Sequence, residues 1–376
     1  MPLRNLTWKG RLVLGAILIA GLAALPFALS PISPVSVRVA SAAAAGPEYD
    51  VDFTTLETDG PYPEGMVAEP DGGLLVGHED GSLARITLDG AGNVSTAGRI
   101  AELGGHSIGL VRDEARDTYW SATFPLGLQE LGPQGVLKTI ESVDDVALGF
   151  PDDVAVDDDG IVYLTDASTR YNPLTTKPGA PYVLWDFMEG RANGRLIAYD
   201  PETGEARTVL DKLAFPSGVV LTHDGSALLI VEVTRYRVIR YELKGPDRGN
   251  MSVFADGLPG IPDDVFTDTQ GRIWVTLVAP RDTVMDNWIA PYPYIARLIS
   301  LLPWSVQNGM LAPADTGGRV VRLSETGAPD CTLRVSEGPP PANGLMRDGK
   351  VILGRLGGTA LISVDPRRCD AGTTAE

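Results

Sequence analysis

PDDVAVDDDGIVYLTDA, residues 151–167, carries the reading that decides the fold. A proline and two aspartates lead into a short apolar stretch, Asp-Gly turns the chain, and a second β-rich run leads back out. The same grammar recurs in PEGMVAEPDGGLLVG from Pro63, SIGLVRDEARDTYWSA from Ser107 and PSGVVLTHDGSALLIVE from Pro216. It returns in PDDVFTDTQGRIWVTL from Pro262 and ANGLMRDGKVILGRL from Ala342. Further strands follow the pairs, as in GRLIAYDPETGEARTVL from Gly194 and YRVIRYEL from Tyr236. Six units of about four short strands, at spacings of very roughly 45 residues with two longer gaps, describe an all-β, six-bladed β-propeller.

A propeller turns this linear repeat into a ring. The first strand of each blade lines the central channel, so one repeat position falls at one height around the axis. That position holds Glu64, Ile108, Asp152, Ser217, Asp263 and Asn343, five of the six bearing a side-chain oxygen, and Asp153 and Asp264 follow directly after two of them. Proline precedes four of them and fixes the backbone at the strand entrance. Converging carboxylates raise each other's pKa unless a cation sits among them. Oxygen ligands with no nearby His or Cys suit a hard divalent cation, calcium before magnesium. A lone Asp at such a turn is ordinarily a turn cap, whereas the whole set at one repeat position favours a metal site.

The chain has 31 basic and 49 acidic residues, a formal net charge of -18. No basic face is visible, which argues against nucleic acid as a partner. The only cysteines, Cys331 and Cys369, are too few for a zinc cage or a disulfide framework; one bridge is open to them in an oxidising compartment. At the N-terminus Arg4, Lys9 and Arg11 flank an uncharged, mostly apolar run from Leu12 to Leu29. Residues 1–29 thus read as a hydrophobic helix, a signal anchor or a signal peptide. An Ala-Ser-Ala site at residues 40–42 lies far beyond the run, so the layout favours an uncleaved single span with the propeller on the extracytoplasmic side. Secretion or periplasmic release after cleavage is the alternative. Residues 30–48, rich in Pro, Ser and Ala, read as a linker, and 49–376 as the propeller.

The run from Glu189 to Arg281 includes EGRANGRLIAYDPETG, LDKLAFPSGVVLTHDG, VEVTRYRVIRYELKGP and GLPGIPDDVFTDTQGRIWVTLVAPR. With GFPDDVAVDDDGIVYLTDASTRY from Gly149, it closely resembles the strictosidine synthase-like family, especially its adipocyte plasma membrane-associated branch. The wider superfamily includes regucalcin-type gluconolactonases and paraoxonases, six-bladed propellers with a calcium-type cation at the channel centre. The resemblance implies metal ligands at Glu64, Asp152, Ser217, Asp263 and Asp264. Two departures matter: Ser217 stands where relatives usually carry Asn, and Asp152 and Asp264 where they often do. The first weakens a ligand and the second makes the site more acidic.

The chemistry implied is divalent-cation-dependent hydrolysis of small-molecule esters or lactones, with Asp152 or Asp263 taking a proton from water. Paraoxonase-like enzymes place a His at the second-blade ring position; here that position is Ile108, with His106 two residues earlier as the remaining candidate. There is no Gly-x-Ser-x-Gly elbow, which argues against a conventional acyl-serine hydrolase. No residue matches the catalytic Glu of a condensing synthase with assurance, and Glu232 reads as a buried hydrogen-bonding residue. The alternative is a non-catalytic propeller that binds a ligand or a protein around a structural cation. Two insertions, from Thr169 and from Asp282, are expected to form a cover, a substrate lid or a membrane-interface patch. The second includes a short amphipathic helix.

Overall fold

Each of the six repeated segments forms the first strand of its own four-stranded antiparallel sheet. The computed structural model describes Trp8 and residues 25–133, 135–310 and 317–371. The six first strands are Pro63–Ala68, His106–Asp113, Pro151–Val156, Pro216–Leu221, Gly260–Thr267 and Pro341–Arg347. Each packs against the first strands of both neighbouring blades, so the six close a ring. The chain is a six-bladed β-propeller.

Alternation within the strands produces the cores. Every strand presents one row of side chains to each neighbouring blade, and apolar residues fill both rows. Trp120, Ala122 and Leu128 of the second blade interdigitate with Val154, Leu164 and Ile197 of the third. Trp274, Val320 and Leu333 of the fifth meet Val351, Leu353 and Ile362 of the sixth. Closure uses the N-terminal side of the propeller chain. Phe53–Glu57 pairs antiparallel with Ala360–Val364 and supplies the outermost strand of the last blade. Glu48–Asp50 adds a fifth, parallel strand to the fifth blade along Thr332–Arg334. Cys331 and Cys369 are joined by a disulfide, with Cα atoms 5.6 Å apart.

The described chain divides into two compact units. The larger comprises residues 39–178, 192–281 and 312–376 and contains the propeller. The smaller comprises residues 1–38, 179–191 and 282–311. It holds the helix Tyr182–Glu189 and, where one amphipathic helix is expected, three short helical segments: Met285–Ile289, Pro293–Ile299 and Trp304–Gly309. The stretch expected to be a linker crosses from the smaller unit to the larger. The Val35 and Val37 amides donate to the carbonyls of Glu189 and Ala290, and further on Ala43 donates to Gly257. A chain without strand or helix still finds acceptors when it lies along folded neighbours. The expected N-terminal helix lies largely outside the described residues, although 25–29 are helical. No helix among the described residues is long and apolar enough to cross a membrane.

Candidate functional site

All six first strands slip register at the same place. The shifts fall between Pro63 and Met66, Ser107 and Gly109, Pro151 and Val154, Pro216 and Val219, Pro262 and Val265, and Pro341 and Gly344. A bulge releases a residue from the ladder and re-aims its side chain. In every blade the released stretch contains the ring residue: Glu64, Ile108, Asp152, Ser217, Asp263 or Asn343. The repeat seen in the sequence is therefore a repeated bulge.

The position after the ring residue explains why the repeat alternates between Gly and Asp. Asp153 sits directly against Gly109, where an added Cβ would meet its Oδ1 at 2.5 Å and its Cα at 2.6 Å. Asp264 crowds Gly218 in the same way. Each Asp then reaches the following blade: Asp153 Oδ2 accepts from the Val219 amide at 2.7 Å, and Asp264 Oδ2 from the Gly344 amide at 2.8 Å. Asp264 Oδ1 also accepts from its neighbour Val265. These two carboxylates staple adjacent blades. Gly218→Ala is expected to lower stability by about 2 kcal/mol, since the clash is with backbone as well as carboxylate; a denaturant midpoint matching the unmutated protein would reject this account.

Of the ring carboxylates, Glu64 and Asp152 are buried and Asp263 is half-buried. Desolvation pushes the Glu64 carboxyl well above the usual range, and Asp263, Asp152 and Asp264 push it further. Asp152 is raised by burial and by Asp263, against the opposing hydrogen bond from Ser217. Burial pushes Asp263 up to about 6. Ser217 Oγ donates to Asp152 Oδ1 at 2.7 Å and lies 3.4 Å from Asp263 Oδ1. Asp152, Ser217 and Asp263 thus come together, and Glu64 joins them electrostatically. Asp264 joins them electrostatically, but both its oxygens are occupied by backbone amides.

His106 stands beside this group. Its Nε2 lies 3.3 Å from Glu64 Oε2, yet that buried nitrogen makes no hydrogen bond among the described residues. Burial holds the imidazole down at about 4, only partly offset by a hydrogen bond to the Tyr62 backbone. It is neutral at pH 7. Asn343 donates its amide to the Ile108 carbonyl at 2.9 Å and ties the sixth blade to the second. Glu232 accepts from the Ala214 amide at 2.6 Å and pairs with Arg237, the buried hydrogen-bonding role expected of it, although it ends its strand Ala227–Glu232 and does not lie mid-strand.

Several residues of the site escape sequence reasoning. The residue before the strand-opening proline is large and apolar or aromatic in four blades: Tyr62, Phe150, Phe215 and Ile261. The Tyr62 ring lies 5.0 Å from that of His106, and burial, reinforced by Glu64 and Asp263, raises its hydroxyl pKa. Phe150 bridges Phe124 at 4.9 Å and Phe215 at 5.2 Å. Tyr62 and Phe215 both adopt φ near +50°, at 47° and 55°, a conformation that non-glycine residues seldom hold. The signal was present as an aromatic-proline pair in three blades. Beyond the bulges the channel opens into a cavity of ≈ 430 Å³, lined by Asp153, Asp264, Asn343, Val219, Val265 and Phe266.

Among the described residues, no group of three or more His, Cys, Asp or Glu side chains stands close enough to hold a metal as placed. The donor chemistry does fit a hard cation. The ring offers oxygen ligands only, and neighbouring carboxylates raise Glu64 and Asp152 with no basic side chain opposing them. That is the electrostatic signature of a group awaiting positive charge.

Comparison with known proteins agrees with this architecture. The strictosidine synthase family profile matches residues 152–246, within the third and fourth blades. An Arabidopsis thaliana strictosidine synthase-like protein is 33% identical over 204 residues, covering 54% of this chain and 48% of its own. The adipocyte plasma membrane-associated protein of Gallus gallus is 30% identical over 277 residues, covering 68% and 63%. The matched part thus spans about half the length of the first of these relatives. A gluconolactonase from Xanthomonas campestris shares the fold, with a TM-score of 0.58 at 15% identity over 89% of this chain and 96% of the other.

Proposed function

We propose that this strictosidine synthase-like propeller is a divalent-cation-dependent hydrolase of esters or lactones, held at the outer side of a membrane by its N-terminal segment. One observation carries the chemistry: Glu64 and Asp152 are buried, the half-buried Asp263 raises the proton affinity of both, and only the Ser217 hydroxyl stands between Asp152 and Asp263. Those four residues would hold the ion, calcium before magnesium. When bound there, such an ion supplies polarisation of the scissile carbonyl and charge stabilisation for the oxygen that becomes negative.

The chain supplies the rest. Burial raises the proton affinity of Asp263 in the ion-free ring, and a bound cation would lower it again, leaving an ionised carboxylate at neutral pH to act as the base. It takes the proton of the water that adds to the carbonyl carbon. The C–O bond to the leaving alkoxide then breaks, and the same proton is returned to that oxygen. Asp152 is tied down by Ser217 and serves position rather than proton transfer. His106 is held too acidic to be an efficient base at neutral pH, and its unpaired Nε2 is suited to orienting water at Glu64. Tyr62, Phe150 and Phe215 provide an apolar rim for an aryl or acyl group. The membrane reading rests on the apolar run at Leu12–Leu29 and on the likeness to adipocyte plasma membrane-associated proteins.

A binding propeller around a structural ion is the second reading, favoured by Ile108 at the second-blade ring position and by Ser217 being committed to Asp152. A panel of aryl esters and lactones, assayed with calcium and with chelator, separates the two. The hydrolase reading expects chelator-sensitive turnover that falls by about 100-fold or more in Asp263→Ala. Turnover absent across the panel, or indifferent to both treatments, leaves only the binding reading.

A further inference from the structure

The smaller unit buries one set of apolar side chains and leaves another outside. Its interior is complete: Leu184, Met188, Ile289 and Ala296 are buried, and Trp185 Nε1 donates to the buried Gln307 Oε1 at 2.9 Å. Gln307 in turn donates to the carbonyls of Ser300 and Leu302. Yet Trp288 is 60% exposed, and Tyr292, Leu301, Leu302 and Val306 are exposed too. A core that is already filled does not account for a second apolar set on the same short helices.

Three features identify what this set meets. The first is composition. Residues 282–310 contain three charged side chains, Asp282, Asp286 and Arg297, in a chain of net charge -18. Exposed Trp and Tyr among Leu and Val, nearly free of charge, match the boundary between lipid headgroups and acyl chains. The second is continuity. The apolar run Leu12–Leu29 ends in the helical residues 25–29 of this same unit, where Phe27 is 61% exposed. The third is attachment. The Phe27 ring lies 5.9 Å from that of Tyr294, and the Arg297 guanidinium stacks over it at 4.8 Å while donating to the Ile32 carbonyl. If the apolar run enters a bilayer, these contacts hold Trp288 and Tyr292 at its surface.

We infer that residues 285–306 form a monotopic membrane-interface surface, continuous with the N-terminal segment, that seats Trp288 at the headgroup–acyl boundary of a zwitterionic bilayer. The inference rests on the anchor reading above. It adds a second point of contact, which fixes how the smaller unit is turned towards the membrane where a single span alone would let it rotate.

The test uses the full chain in phosphatidylcholine vesicles, with acyl chains brominated near the headgroup as a quencher of tryptophan fluorescence. Trp8 reports the N-terminal segment, whereas Trp120 and Trp274 are fully buried, Trp185 is nearly so, and these three act as silent controls. In Trp8→Phe, brominated lipid is expected to quench strongly, and Trp288→Phe added to it should remove about half of that quenching, Trp304 supplying the remainder. Equal quenching in Trp8→Phe with and without Trp288→Phe overturns the inference. Loss of Trp8 quenching with Trp288 quenching retained overturns the anchor and leaves the surface standing. Trp288 is mostly exposed, so the variant is expected to fold, and an unchanged circular dichroism spectrum checks this.

Discussion

Raising the pH of the calcium-free protein from 4 to 8 is expected to lower its stability, and calcium to restore it by an amount that grows with pH. The direction follows from the ring. Glu64, Asp152 and Asp264 hold their protons well above the ordinary carboxylate range, Asp263 to about 6 and Asp153 to about 7, burial being the first cause in each. In the unfolded chain the same groups release their protons near 4. Between those values the native state binds more protons than the unfolded state, so stability falls as pH rises. Asp263 alone accounts for a change on the order of 3 kcal/mol once pH exceeds both of its values. Surface carboxylates act in another window. Asp224 and Asp365, held well below the usual carboxylate range by hydrogen bonds from Thr222 and Arg367, contribute stability that is complete above 4 and lost below it. The two effects therefore separate on the pH axis.

Calcium must displace the retained protons, so its binding strengthens as they leave. At a concentration a hundredfold above its dissociation constant it adds about 2.7 kcal/mol. Urea midpoints in chelator and in calcium, at several pH values, provide the measurement. A flat or rising curve in chelator between pH 5 and 8 would contradict the buried ring. A calcium effect equal at pH 5 and pH 8, or undiminished in Asp263→Asn, would place the ion elsewhere.

The sequence made the ring legible because a propeller repeats it. PDDV at Pro151 and at Pro262 sits in bulges of identical register, and the position ahead of each Gly or Asp lies at one height around the axis. What the pattern left out was the direction of each side chain. Asp152 and Asp153 are adjacent in sequence, yet the first faces Ser217 and Asp263 while the second bonds the Val219 amide in the next blade. Asp264 carries the same information as Asp263 in a linear reading, and only the bulge separates a ring carboxylate from an interblade staple. Tyr62 is hidden for a related reason: an aromatic residue before proline carries no signal of a site until its ring lies against His106. The smaller unit was less legible still. It is assembled from three distant segments, and neither Glu189 nor Ala290 advertises in sequence that it will receive an amide from residues 35–37.

Breaking the Cys331–Cys369 disulfide is expected to cost about 4 kcal/mol, the chain-entropy value for a loop of this length, the two cysteines standing 38 positions apart in the sequence. Its position makes the effect more than local. Cys331 lies in Pro329–Val335 of the fifth blade, among Trp274, Leu333 and Leu353, and Cys369 follows the closing strand Ala360–Val364 by five residues. The bond therefore ties the end of the closing blade to its neighbour. Arg322 reinforces it, pairing with Asp330 and Asp370 and donating to the Cys369 carbonyl at 3.1 Å. The opposite side of the closure, Phe53–Glu57, depends on the same sheet. Reduction should therefore loosen residues 53–57 and 360–371 first, read as faster amide hydrogen exchange there before the other blades. Cys331→Ala/Cys369→Ala should match the reduced protein and be insensitive to further reductant. An unchanged denaturant midpoint on reduction would show that the strand pairing alone closes the ring. A stabilising bond of this kind also persists only where thiols are oxidised, which agrees with the proposed outward-facing side of the membrane and would be lost on a cytoplasmic one.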